Sequence, residues 1–138
     1  MARLIDSSTL IGMERRGLRP SALSQIMPRT EEVAMAAVTV SELLFGFHRA
    51  DTAARRVRRE NFLEALLEAI PVLPFDLRAA RVYGRIWAEM AATGQMIGPH
   101  DAQIAATGLA YGYGVLTDNA KHFERVPGLA VTAPQWPE

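Results

Sequence analysis

Four acidic residues carry this sequence's best prospect of chemistry: Asp6, Glu42, Asp101 and Asp118. They are far apart in the chain, yet each stands at the end of an apolar run or the start of a helical pattern. Asp101 is the most telling. Counting three, four and seven residues on from it gives Ile104, Ala105 and Gly108, an apolar, small-residue stripe that faces a core. A carboxylate on such a stripe is costly unless it is capped, paired or bound to a cation. Two carboxylates about 4 Å apart repel by roughly 4 kcal/mol at an effective dielectric of about 20. If the four acids converge, they must hold protons or bind a cation. With oxygen ligands alone, that cation is a hard divalent ion, Mg²⁺ or Mn²⁺, which keeps several waters and meets phosphate oxygens.

Each acid also has an ordinary local reading. Asp6, with Ser7 and Ser8, can cap the first helix. Glu42 lies three residues after Thr39, the spacing at which a carboxylate reaches back to the cap's backbone N–H. Asp101, in a first helical turn, answers the helix dipole. Asp118 with Asn119 can form a simple turn, and Asp76 reads as a helix cap and nothing more. His48, His100 and His122 show no metal-ligand spacing; His100 adjoins Asp101, where it could contact a substrate.

The elements that position these residues alternate between strand and helix. Leu4-Ile5 is a buried strand that passes into a helix through Thr9, Leu10, Ile11 and Met13, ended by Gly17. A small helix fits 21–27. Residues 33–38 read as a second strand, and Thr39 then opens a helix to about Ala50. A longer helix spans 53–69, with Val57, Phe62, Leu63, Leu66 and Leu67 inward. Residues 70–75 form a third strand whose prolines place it at an edge. A helix over 77–92 puts Ala80, Tyr83, Trp87 and Met90 on one stripe. Gly98-Pro99 starts the next helix and Gly112 stops it after Tyr111. Val115-Leu116-Thr117 is a central strand, and 129–132 is the last.

Five strands alternating with helices indicate an α/β domain with a mainly parallel sheet, one domain over 1–138. Such sheets place their sites beyond the carboxyl ends of the strands. Asp6 and Asp118 fall there, while Glu42 and Asp101 fall in first helical turns. Capping does not require acids at corresponding ends of four separate elements.

Composition narrows the function classes. The 15 basic and 15 acidic residues cancel, which argues against strong non-specific nucleic-acid binding but leaves room for a local basic patch. All but one of the basic residues are arginine, a type suited to phosphate. With no cysteine, disulfides, thiol catalysis and zinc–thiolate sites are excluded. No signal peptide or membrane-length apolar run is visible, so a cytoplasmic protein is expected.

Three stretches together resemble the PIN-domain family, and most of all its VapC toxin branch. They are Leu4-Ile5-Asp6-Ser7-Ser8, Thr39-Val40-Ser41-Glu42-Leu43 with Gly46, and GPHDAQIAATG followed by GVLTDNAKHFERVPGL. The resemblance spans essentially the whole chain. It implies a three-layer α/β/α fold and a Mg²⁺- or Mn²⁺-dependent endoribonuclease acting on RNA, with tRNA among the substrates of the family. It further implies a homodimer and a cognate VapB-type antitoxin that covers the acidic pocket. Asp6, Glu42 and Asp101 match the family's three acids. The fourth position lies between Asp118, the carboxylate, and Asn119, two residues after Thr117 in the family's turn. Ser8 and Thr117 match its supporting hydroxyls.

On that basis Asp6 and Asp101 are expected to bind the ion directly. Glu42 would bind through water or orient the nucleophile, and Asp118 or Asn119 would steady a second ion. Because an acidic pocket repels RNA, arginines must hold the backbone: Arg15, Arg16 and Arg19, or Arg55, Arg56, Arg58 and Arg59. The rival reading is a catalytically silent PIN-like module that only binds protein.

Overall fold

The computed structural model describes residues 1–27 and 31–137. Short apolar strands alternate with helices in the order β1 (Arg3–Ile5), α1 (Ser7–Arg15), a 3₁₀ turn (Pro20–Ala22), α2 (Leu23–Ile26), β2 (Val33–Ala36), α3 (Ala37–His48) and α4 (Ala53–Ala69). There follow β3 (Val72–Leu73), α5 (Leu77–Thr93), α6 (Pro99–Tyr111), β4 (Gly114–Leu116), α7 (Ala120–Phe123) and β5 (Val131–Thr132).

The five strands pair in the order β3-β2-β1-β4-β5, and every pairing is parallel. Parallel strands require covered faces, and the side-chain alternation along each strand supplies two. Leu4, Ala34, Ala36 and Val115 point to a core built with Ile86 and Met90 of α5, Ala102 and Ala105 of α6, and Phe123 of α7. Ile5, Met35 and Leu116 point the other way, to Leu10 and Met13 of α1, Ile26 of α2 and Leu66 of α4. The result is a three-layer α/β/α arrangement with β1 at its centre. Among the described residues no helix is long and apolar enough to cross a membrane.

This strand order sets the site. From β1 the chain builds outward through β2 to β3, then returns to lay β4 on the other side of β1. The order therefore reverses between β1 and β4, and a crevice opens there beyond their carboxyl ends. Leu4 is in register with both Ala34 and Val115. Asp6 and Thr117 consequently leave the sheet side by side, with the Asp6 N–H donating to the Leu116 carbonyl at 3.2 Å.

Several sequence expectations need correction. The second strand stops at Ala36, and α3 begins at Ala37, two residues before Thr39. Its N-cap is Ala36 and makes no side-chain cap bond. The Thr39–Glu42 capping box therefore does not form, and Glu42 lies in the second turn rather than the first. Packing sets this start, since Thr39 is fully buried.

The third strand shrinks to two residues between Pro71 and Pro74, at the sheet edge as expected. Val57 and Leu67 are exposed, because α4 buries only Leu63 and Leu66 fully. On α5, Ala79 takes the buried place expected of Ala80, followed by Ile86 and Met90. The turn after β4 holds a short helix, α7, that the sequence reading did not include. By contrast, α6 keeps its expected bounds, and Gly112 ends it in the left-handed conformation at φ 74°.

Candidate functional site

Asp6 is the anchor of the crevice. It caps α1 by accepting the Thr9 N–H at 3.1 Å, and it is only 2% exposed. The Ser8 hydroxyl reaches both carboxylate oxygens, at 2.9 and 3.0 Å. Thr117 donates from across the sheet at 2.7 Å. The Thr117 oxygen in turn accepts the Asn119 N–H at 2.8 Å. One hydroxyl thus ties the turn after β4 to the acid after β1. Burial pushes the Asp6 carboxyl above its ordinary value of 3.8, against the pull of the Thr117, Thr9 and Ser8 hydrogen bonds.

Glu42 enters from α3. One of its oxygens accepts from the Ser7 hydroxyl at 3.1 Å and lies 4.0 Å from His100 Nδ1. The other, Oε1, is buried and has no hydrogen-bond partner among the described residues. Asp101 enters from the first turn of α6, 3.8 Å from His122 Nδ1. Burial raises both carboxyls above their ordinary values. Asp6 adds to the rise at Asp101, and Asp101 and Asp6 add to it at Glu42. The three acids therefore sense one another across a single hollow. The local caps account for Asp6 and for the helical placement of Asp101, but not for this mutual repulsion.

The fourth position resolves into two different environments. Asp118 is exposed, and its carboxylate accepts the Trp136 indole N–H at 2.9 Å. Asn119 is fixed by its backbone to Thr117, while its side chain makes no hydrogen bond among the described residues. The structure thus gathers Asp6, Glu42 and Asp101 with Ser8 and Thr117, sets Asn119 beside them, and turns Asp118 toward the carboxyl-terminal tail.

The donor set suits a hard divalent ion: carboxylate oxygens, hydroxyls and an amide, with no thiolate. Among the described residues, no three acidic or histidine side chains are drawn together tightly enough to hold a metal ion by themselves. Mg²⁺ in general takes one or two carboxylates and completes its shell with waters. The unpartnered Glu42 oxygen is the atom that such a water or ion would satisfy. Beyond Glu42, a groove of about 530 Å³ opens between α1, α3 and α4, with Ile11, Leu43 and Phe62 on its apolar wall.

In sequence and fold the chain is similar to known proteins. Residues 3–129 match the PIN domain. Over 131 residues the chain is 31% identical to ribonuclease VapC1 of Rickettsia felis, and the match covers 95% of each. The chain belongs to the PIN-domain family, in its branch of VapC ribonuclease toxins from type II toxin–antitoxin systems. It is also 31% identical, over 74% of its length and 75% of the other, to a Salmonella typhimurium protein named tRNA(fMet)-specific endonuclease VapC. The crystal structure of DNA-bound VapBC from Salmonella typhimurium superposes with a TM-score of 0.81 at 26% identity, covering 96% of this chain and 98% of that one.

Within this PIN domain, sequence reasoning missed three contributors. Ser7 was visible as a hydroxyl beside Ser8; successive helical residues point about 100° apart, so one can serve Asp6 while the other faces α3. His122 became visible only with α7, which carries it toward Asp101. The Trp136 bond to Asp118 joins residues 18 apart, and no local pattern announces it.

Proposed function

We propose that this PIN domain is a Mg²⁺- or Mn²⁺-dependent endoribonuclease that hydrolyses phosphodiester bonds at the Asp6–Glu42–Asp101 hollow. The observation that carries this reading is the convergence of three acids, each held above its ordinary carboxyl range, where the strand order reverses. Asp6 and Asp101 would hold the ion, with Ser8 and Thr117 fixing Asp6. A bound divalent ion would offset the negative charge on the phosphoryl oxygens and lower the pKa of its water. Glu42, through its free oxygen, orients the attacking water. Of the two candidates for the fourth position, Asn119 has the unengaged side chain; Asp118 would have to leave Trp136 to join.

The substrate we place first is tRNA, on the likeness to the Salmonella protein named for it. We place the chain in the cytoplasm, as a homodimer held by a cognate VapB-type antitoxin that covers the acids. The crystallised VapBC complex supports that pairing, and the exposed Leu44 and Phe45 of α3 offer apolar surface for protein partners. The test is sequencing of RNA 5′ ends after brief induction of the parent and of Asp101→Asn. New ends at defined positions are expected with the parent alone. Identical end profiles from both would overturn the reading.

A further inference from the structure

Arginines that the sequence keeps far apart meet on one side of the molecule. Arg15, in the last turn of α1, and Arg55, Arg58 and Arg59 of α4 line a cleft of about 210 Å³ with Glu14. Four guanidinium groups thus face one carboxylate. Arg55 is paired with Asp51 at 2.8 Å, and Arg59 donates to the Gly46 carbonyl. Arg15 and Arg58 are exposed and make no hydrogen bond or ion pair among the described residues. The neighbouring arginines are otherwise engaged: Arg16 lies over Trp136 at 3.9 Å, and Arg56 donates to the Ala50 carbonyl.

The cleft runs on into the larger groove, sharing Glu14, Arg15, Arg55 and Arg59 with it, and Glu42 stands on that groove's wall. A strand lying along the cleft is therefore led to Glu42. We propose that this cleft is the track for the phosphodiester backbone of the RNA, with Arg15 and Arg58 as its phosphate-contacting residues. The inference rests on the nuclease reading but concerns different residues. The acids cannot hold a polyanion, so its phosphates need cations close by that no carboxylate has neutralised. Arginine suits them, because its planar fork matches phosphate oxygens. The groove's apolar wall of Ile11, Leu43 and Phe62 gives the bases somewhere to lie. An acidic peptide is the competing occupant, and it would have to run past Glu42 with carboxylates of its own.

The test uses a fluorescein-labelled single-stranded RNA of mixed sequence and anisotropy titrations across KCl concentration. The binding protein is the full chain carrying Asp101→Asn, so that no cleavage intervenes. Adding Arg15→Glu and Arg58→Glu should weaken binding by about tenfold or more and flatten the log K against log salt slope by about 0.7 per lost phosphate contact. Arg81→Glu, at an exposed position of α5, should change neither. Arg15→Gln with Arg58→Gln should act in the same direction, and thermal unfolding verifies the fold of each. In the otherwise unmodified protein, the double change should raise KM and spare kcat.

Unchanged affinity and slope would overturn the track, as would loss of binding to a polyglutamate peptide with RNA binding intact. Arginine-dependent RNA binding by a protein that cleaves nothing would uphold the track and count against the nuclease reading alone.

Discussion

The Trp136 indole N–H donates to the Asp118 carboxylate at 2.9 Å, and this bond decides which way the turn after β4 presents its acid. The same ring lies under Arg16 and against Gly12, so close that an added Cβ at Gly12 would meet it at 2.9 Å. The tail is further pinned by the Gln135 N–H to the Ile26 carbonyl at 2.7 Å. Asp118 is thereby occupied, while Asp6, Glu42 and Asp101 share the hollow. Asp118→Ala is expected to cut RNA cleavage by less than about tenfold, where a partner lost only from a hydrogen bond costs about 1 kcal/mol. Asn119→Ala should cost more. Initial-rate measurements on both variants distinguish them, and a larger loss from Asp118→Ala would reassign the fourth position.

Thr117 joins two parts of the site through one hydroxyl, donating to Asp6 and accepting from the Asn119 N–H. Thr117→Val keeps the shape but leaves a buried carboxylate short of a donor and a backbone N–H unpaired. A loss of about 1–3 kcal/mol is expected from chemical denaturation, together with reduced cleavage. Ser8→Ala should cost less stability, since Asp6 retains both Thr9 and Thr117.

The acids set a pH dependence whose sign is fixed. In the folded protein the carboxyls of Asp6, Glu42 and Asp101 all sit above their ordinary values of 3.8 and 4.5. A raised folded pKa gives stability that is fully present below the unfolded value and is lost as pH rises through the folded one. At neutral pH in chelator-containing buffer, the three acids therefore oppose folding. Glu42→Gln should raise the melting temperature there, because it removes the buried carboxyl that burial and the neighbouring acids disfavour in its charged form. The gain should vanish at acidic pH, where the parent is protonated too. A variant less stable than the parent at neutral pH would contradict this.

A divalent ion should relieve the same repulsion. Mn²⁺ is expected to raise the melting temperature of the parent, and ligand at about 100 times its dissociation constant gives roughly 2.7 kcal/mol. Asp101→Asn should show little of this shift. An equal shift in both proteins would place the ion elsewhere.

Much of this architecture was legible in the sequence wherever a local signal fixed it. Gly98-Pro99 and Gly112 bracket α6, and the stripe from Asp101 through Ile104, Ala105 and Gly108 is buried apart from its acid. Asp6 and Asp76 cap their helices as their positions indicate. Legibility fails where tertiary packing takes over. No capping residue starts α3, so the Thr39–Glu42 spacing suggested a box that burial of Thr39 overrules. Val57 sits in a helical stripe, yet the first half of α4 is exposed and leaves that stripe uncovered. Ser7, His122 and Trp136 act across the fold, on partners that no local spacing in the sequence links to them. The pairing of Asp6 with Thr117 spans 111 residues; only the reversal of strand order brings them together.

On the proposed reading, Asp6, Glu42 and Asp101 form one divalent-ion site that cuts RNA. The most direct measurement is cleavage of purified total tRNA by the purified chain, with Mn²⁺ and with EDTA, beside folded Asp101→Asn. Discrete fragments are expected only from the parent with Mn²⁺. Equal fragmentation in EDTA, or by the Asp101→Asn protein, would contradict the account.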